Sequence, residues 1–158
     1  MWNTELVTEF DQPMLTALER IERKAFGEGA LNVWVFVPFI RHGRVFVLRS
    51  DTGQLGAVAE YMRDFDAPDN AYLFGLSVDE RYQGQGLGSQ LLMDSLQWLK
   101  ENGVETVELT VDPQNEPAVS LYDKAGFREA ETRRNEYGIG EHRLSMTLQL
   151  QTFVRGQS

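Results

Sequence analysis

The chain has 158 residues, 42% of them hydrophobic, and a net charge of −9 at neutral pH. That length suits one domain with a substantial core, and the negative balance excludes a general nucleic-acid binder, which needs a basic face to displace counterions. With no cysteine and only two histidines, His42 and His142, a disulfide framework, a thiolate zinc site and a cysteine nucleophile are excluded, and no metal is expected.

The first twelve residues carry no basic region followed by a long apolar stretch, so no signal peptide is expected. The longest apolar run, VWVFVPFI, is too short to span a bilayer and contains Pro38. These features predict a soluble cytoplasmic protein with no membrane partner, as monomer or homodimer.

In chain order, residues 5–10 read as a short first strand. Asp11 and Pro13 then start a helix, with Leu15, Leu18, Ile21, Ala25 and Phe26 at helical spacing until Gly27 and Gly29 stop it. Residues 30–43 leave a short helix and a hydrophobic loop both open. If exposed, Trp34, Phe36 and Phe39 would wall a substrate cleft, whereas burial would make them core. RVFVLR, SDTGQ and LGAVAEYM form a strand, a turn and a strand, with Gly56 marking a bulge or a close backbone approach. In the next strand, near Ala71, Tyr72, Phe74, Leu76 and Val78 share one face and Leu73, Gly75 and Ser77 the other, so both faces are expected to be covered.

A helix follows from about Gly86 to Asn102, with Leu87, Leu91, Leu92, Leu96, Trp98 and Leu99 on a broad apolar stripe and Gly103 as its cap. VETVELTVD then alternates as a strand, which completes a βαβ unit. Asn115 caps another helix with Pro117 in its first turn, ending at Gly126. Residues 127–136 and HRLSMTLQL read as two closing strands around a loop at YGIGE, and QTFVRGQS as a frayed or packed tail.

Residues 71–89, AYLFGLSVDERYQGQGLGS, carry the chemistry. A strand is followed by Gly84, Gly86 and Gly88 at alternate positions and then by a helix. Glycines let backbone N–H groups approach an anion closely, and the helix N-terminus adds its positive dipole end, so this stretch offers a pyrophosphate seat. Taken alone, a glycine turn that serves only geometry explains the stretch equally well. A nucleotide-hydrolase phosphate loop is excluded because no Lys-Ser/Thr pair follows the glycines.

QGQGLG after SVDERY, Asn-x-x-Ala at 115–118 and LYDKAGF at 121–127, in this order, resemble the GCN5-related N-acetyltransferase superfamily, whose loop is Q/R-x-x-G-x-G/A; here Gln83, Gly86 and Gly88 match it. The resemblance implies a single domain over residues 1–158. It also implies an α/β (α+β) fold with a central mixed, mostly antiparallel sheet, helices on both faces and a splayed parallel strand pair at the cofactor site. It implies acetyl-CoA as acyl donor. Leu76, Ser77 and Val78 would pair with the pantetheine through their backbone. Gln83, Gly84, Gln85, Gly86, Leu87, Gly88 and Ser89 would hold the pyrophosphate, Asn115 would bond the pantetheine, and Tyr122 would act as the acid on the leaving thiolate.

For the base, Glu60 is the candidate, directly or through a water, with Glu108 and Thr110 as alternatives. The ending TRRNEYGIGEHRLSMTL is similar to that of the ribosomal-protein-alanine N-acetyltransferase group. Glu136 breaks the tyrosine pair of that group, and Thr110 stands where it tends to carry a glutamate. The expected acceptor is a primary amine of a small molecule or a peptide N-terminus. The competing expectation is an acyl-CoA-binding module without chemistry.

Overall fold

The computed structural model describes residues 1–156. Its strands are β1 (Trp2–Leu6), β2 (Arg44–Ser50), β3 (Leu55–Arg63), β4 (Asn70–Val78), β5 (Thr106–Val111), β6 (Arg128–Arg133) and β7 (Arg143–Gln149); its helices are α1 (Gln12–Phe26), α2 (Val33–His42), α3 (Leu87–Glu101) and α4 (Glu116–Ala125). The strands hydrogen-bond in the order β1-β2-β3-β4-β5-β7-β6. β4 and β5 run parallel, whereas β1/β2, β2/β3, β5/β7 and β6/β7 are antiparallel pairs, giving the mixed, mostly antiparallel sheet expected. The chain divides into two compact units: Met1–Met62 with Gly75–Ser95, and Arg63–Phe74 with the residues from Leu96 onward.

In the first unit, Asp11 caps α1 by accepting the Met14 N–H at 2.9 Å, and Pro13 sits in the first turn, where its missing N–H costs nothing. Leu15, Leu18 and Ile21 of α1 and Phe36 and Ile40 of α2 pack on Val45, Val47 and Val58 of the β2–β3 hairpin. On the other face Tyr61 reaches Ser95 of α3, their hydroxyls 2.8 Å apart. Helices therefore cover both faces of this part of the sheet.

One sequence expectation changes here, and two left open are decided. β1 lies at Trp2–Leu6 rather than 5–10 because its partner β2 starts at Arg44, so pairing runs out after the Val7 N–H bonds the Val45 carbonyl at 2.8 Å. Residues 33–42 are helical despite Pro38, capped by Asn32, whose side chain accepts the Trp34 N–H. The aromatic wall does not form: Phe36 is fully buried and Phe39 is 9% exposed, while Trp34 stands 84% exposed. Gly56 is both things anticipated. Leu48 pairs with Ala57 but Arg49 with Leu55, so Gly56 is the extra residue of a bulge, and a Cβ there would lie 2.7 Å from the Trp2 ring.

In the second unit the β4–β5 ladder pairs Asn70–Leu73 with Thr106–Leu109 and then stops, although β4 continues to Val78 and β5 to Val111. The strands part as the resemblance implied. β4 is not covered on both faces, for Phe74 is 41% exposed while Ala71 and Leu73 are buried. The end of α3 closes on Gly103, whose φ of +89° a side chain would resist, with the Val104 N–H returning to the Leu99 carbonyl at 3.0 Å. α4 is closed by Gly126 in the left-handed region.

β6 ends at Arg133 rather than 136, because Asn135 adopts a φ of +53° and turns the chain. β7 runs Arg143–Gln149, one residue inside the expected strand at each end. The tail is packed as far as Phe153, which is buried and whose carbonyl accepts Lys100 Nζ at 2.6 Å; Gln157 and Ser158 lie outside the described residues.

Gly56→Ala is expected to lower stability by about 1–3 kcal/mol, since the new methyl collides with Trp2 and with Leu87. Urea unfolding is the measurement, read as a lower midpoint at unchanged slope.

Candidate functional site

The glycine loop begins where β4 ends. Asp79 caps a 3₁₀ turn (Glu80–Tyr82) by accepting the Arg81 N–H at 2.9 Å, and its own N–H bonds the Gly56 carbonyl at 2.8 Å. Its carboxylate is buried, yet two guanidiniums reach it, Arg81 at 2.9 Å and Arg20 at 3.1 Å. Burial alone would raise its pKa, but the Arg81 and Arg20 hydrogen bonds outweigh this and hold it down at about 2. The chain therefore leaves the sheet in one direction.

Past Gln83, whose backbone is extended, Gly84 and Gly86 take φ of +81° and +78°. A Cβ at either would meet no atom within 4 Å, so these glycines are required by conformation rather than by space. The first helical hydrogen bond of α3 is Gln90 N–H to the Gly86 carbonyl, at 3.1 Å. The N–H groups of Leu87, Gly88 and Ser89 precede it and are not spent inside the helix. Gln83, Gly84, Gln85 and Gly86 are exposed; Leu87 is buried and anchors the turn. The donors present suit an anion, and with it the pyrophosphate of a coenzyme A.

Behind the loop lies a buried acidic cluster. Ser77 of β4 donates its hydroxyl to Glu22 of α1 at 2.5 Å, and both side chains are shut off from solvent. Glu60 of β3 is fully buried, and neither of its carboxyl oxygens has a hydrogen-bond partner. A Cβ on Gly75 would fall 2.8 Å from one Glu60 oxygen, so glycine is what lets the Glu60 carboxyl approach β4, while a Glu22 oxygen at 3.8 Å would make only ordinary contact. Burial pushes the Glu60 carboxyl well above its ordinary range, and the neighbouring Glu22 pushes it further; burial also raises Glu22, partly offset by its hydrogen bonds. Glu60 is thus an enclosed acid and opens onto no surface. Leu76 and Val78, which alternate with Ser77, are half-buried.

The second unit holds the other expected residues. Asn115 caps α4 by accepting the Ala118 N–H at 3.3 Å, which occupies its oxygen and leaves the side-chain amide to donate outward. Tyr122 is 8% exposed and meets Phe127 edge to face at 5.8 Å. Thr110 and Tyr72 bring their hydroxyls to 2.8 Å. Glu108 accepts Arg133 at 2.6 Å and Ser145 at 3.0 Å, so its charge is already balanced.

Glu60, Ser77 and the glycine loop belong to one unit, and Asn115, Tyr122, Thr110 and Glu108 to the other. Sequence reasoning overlooked Asp79 and Glu22. The Asp at the junction of strand and turn was a capping signal for the first, but Glu22 sits on the buried stripe of α1, where no local pattern marks a carboxylate. Among the described residues, no group of three or more His, Cys, Asp or Glu is placed to hold a metal ion, and no helix is long and apolar enough to cross a membrane.

A transferase of the acetyl group is the class that this loop and strand order define. The family model described as "Acetyltransferase (GNAT) family" matches residues 13–127, and the chain belongs to that family. Over 69 residues it is 46% identical to the [ribosomal protein bS18]-alanine N-acetyltransferase of Escherichia coli K12, a match covering 44% of this chain and 47% of that protein, so the matched segment spans about half the relative's length. The crystal structure of the Escherichia coli ribosomal-protein-S18-alanine N-acetyltransferase superposes with a TM-score of 0.78 at 28% identity, covering 99% of both chains. A Bacillus subtilis acetyltransferase solved in complex with CoA shares the fold, with a TM-score of 0.75 at 20% identity over 94% of this chain and 99% of its own.

Two pH responses follow. Because the folded pKa of Glu60 is raised, folding holds its proton more tightly than the unfolded chain does, and that contribution is lost as pH rises through the folded value. Glu60→Gln should therefore lose less stability than the parent between pH 5 and pH 8 in urea titrations. Asp79 has the opposite sign: its contribution is present above the unfolded value of 3.8 and is lost as pH falls towards about 2. Asp79→Asn should cost on the order of 2 kcal/mol at neutral pH and much less near pH 2.

Proposed function

We propose that the chain is an acetyl-CoA-dependent N-acetyltransferase acting on a primary amine by direct transfer in a ternary complex, with residues 1–158 working as one domain. The observation that carries this reading is the loop at Gly84–Gly86, with two left-handed glycines and unspent α3 amides, inside a family match that runs through both units. Acetyl-CoA, when bound, supplies an activated carbonyl and a thiolate leaving group.

The chain's own groups would act as follows. Gln83, Gly84, Gln85, Gly86, Leu87, Gly88 and Ser89 hold the pyrophosphate, and the backbone of Leu76, Ser77 and Val78 pairs with the pantetheine, β4 having no β5 partner beyond Leu73. Asn115 donates its side-chain amide to the pantetheine. The amine nitrogen forms a bond to the acetyl carbon as the carbon–sulfur bond breaks. Tyr122 gives its phenolic proton to the departing sulfur, and the proton leaving the amine passes to water; Glu60, enclosed and with its carboxyl pushed up by burial, is not placed to take it directly. The acceptor class is a small-molecule amine or a peptide N-terminus. The name of the Escherichia coli relatives and the net charge of −9, which attracts cationic protein segments, favour the second. The reading includes a cytoplasmic protein, a monomer or homodimer, with no nucleic-acid partner.

An acyl-CoA-binding module without chemistry is the alternative, favoured by one observation: Thr110, where a glutamate was expected, is engaged with Tyr72. Release of free CoA thiol, followed over a panel of N-terminal peptides, amino acids, polyamines and aminoglycosides, separates the two. Turnover with at least one amine is expected; tight acetyl-CoA binding with no thiol released by any of them would establish the binding module. With the best amine, Tyr122→Phe should lower kcat about 100-fold or more at little change in the KM for acetyl-CoA. Full turnover at all pH values would remove the acid role from Tyr122.

A further inference from the structure

A cavity of about 290 Å³ lies in the second unit between the C-terminal end of α4, the end of β7 and the turn that follows it. Lys124 and Arg128 line it together with Thr147 and Gln149, over a floor that includes Leu148 and Phe153, and among the described residues no carboxylate lines it. In a chain of net charge −9 this is an unusual local excess of positive charge. Arg20, Arg23, Arg49, Arg81, Arg133 and Arg143 each reach a carboxylate. Among the described residues, Lys124 and Arg128 reach none, as is also true of Arg41, Arg63, Lys100 and Arg134; what sets Lys124 and Arg128 apart is that they line one cavity together.

The remaining polar groups have the same sense. Gln149 spends its oxygen accepting the Thr106 hydroxyl at 3.1 Å, which leaves its side-chain amide as a donor. Carbonyls at the end of α4 would repel an anion, but those of Tyr122 and Asp123 are engaged by the N–H groups of Phe127 and Gly126, both at 3.0 Å. The lining therefore offers two cations, neutral polar groups and the helix-end carbonyls of Lys124 and Ala125 beside an apolar floor. Its position also separates it from the Asn115 end of α4: Lys124 stands nine positions beyond Asn115, about 14 Å along the axis.

We propose that this cavity is a binding site for a small organic anion, a phosphate or carboxylate carried on an apolar body, distinct from the glycine loop. The charged head sits between Lys124 and Arg128, and the body lies on Leu148 and Phe153. This assignment does not depend on the acetyltransferase reading.

The test uses the full chain, labelled with nitrogen-15 and titrated by NMR with phenyl phosphate, benzoate and the uncharged benzyl alcohol. Saturable shifts of the Gly126, Thr147 and Gln149 amides are expected with one or both anions and not with the alcohol, and the tighter anion identifies the head group. The double variant Lys124→Ala, Arg128→Ala should weaken that binding about tenfold or more at an unchanged unfolding midpoint. The proposal is overturned if neither anion gives saturable shifts there, if the only saturable shifts are those of the glycine loop, if benzyl alcohol binds equally well, or if the double variant binds as the parent does.

Discussion

A buried carboxylate at the end of β4 governs how the cofactor loop is presented. Asp79 has no solvent to stabilise its charge, so it must be met from within, and it is met by two guanidiniums and a backbone N–H. One of those guanidiniums comes from α1 and the other from the turn that Asp79 itself caps. Helix, strand end and turn are thereby tied to a single point, and a few residues on the chain passes through Gly84 and Gly86, both in the left-handed conformation, into α3. The anion seat is a consequence of satisfying one charge.

Two titratable clusters of opposite character lie along the end of β4, both reached by α1. The partners of Asp79 hold its carboxyl low, whereas burial, and after it the nearby Glu22, pushes that of Glu60 up. This difference comes from the neighbours supplied by α1: Arg20 faces one site and Glu22 the other, two residues apart on one helix.

Much of this was legible before the structure. The caps at Asp11 and Asn115, the glycine stops and the alternation in β5 are local effects, in which each residue acts on neighbours within four positions, and the elements followed from them. The loop residues were legible for the same reason, since glycine spacing reports backbone conformation directly. What was not legible depends on partners distant in sequence. The length of β1 is set by where β2 begins, the burial of Phe36 but not Trp34 by which side of α2 meets the hairpin, and the enclosure of Glu60 by a glutamate 38 positions away. Glu60 on an alternating strand reads as a solvated face until Glu22, Ser77 and Gly75 close around it.

The bulge at Gly56 touches three parts of the first unit at once. Its missing side chain makes room for Trp2 of β1 and Leu87 of α3, its carbonyl holds the Asp79 N–H, and its extra residue keeps Leu55 on the same face as Val58. A strand that slipped by one position would turn its apolar residues to the other face. The hairpin is therefore a ruler whose zero mark is Gly56: the count of residues from Gly56 to the end of β3 sets which face each apolar side chain takes, and the same residue's carbonyl fixes the point from which the anion loop departs.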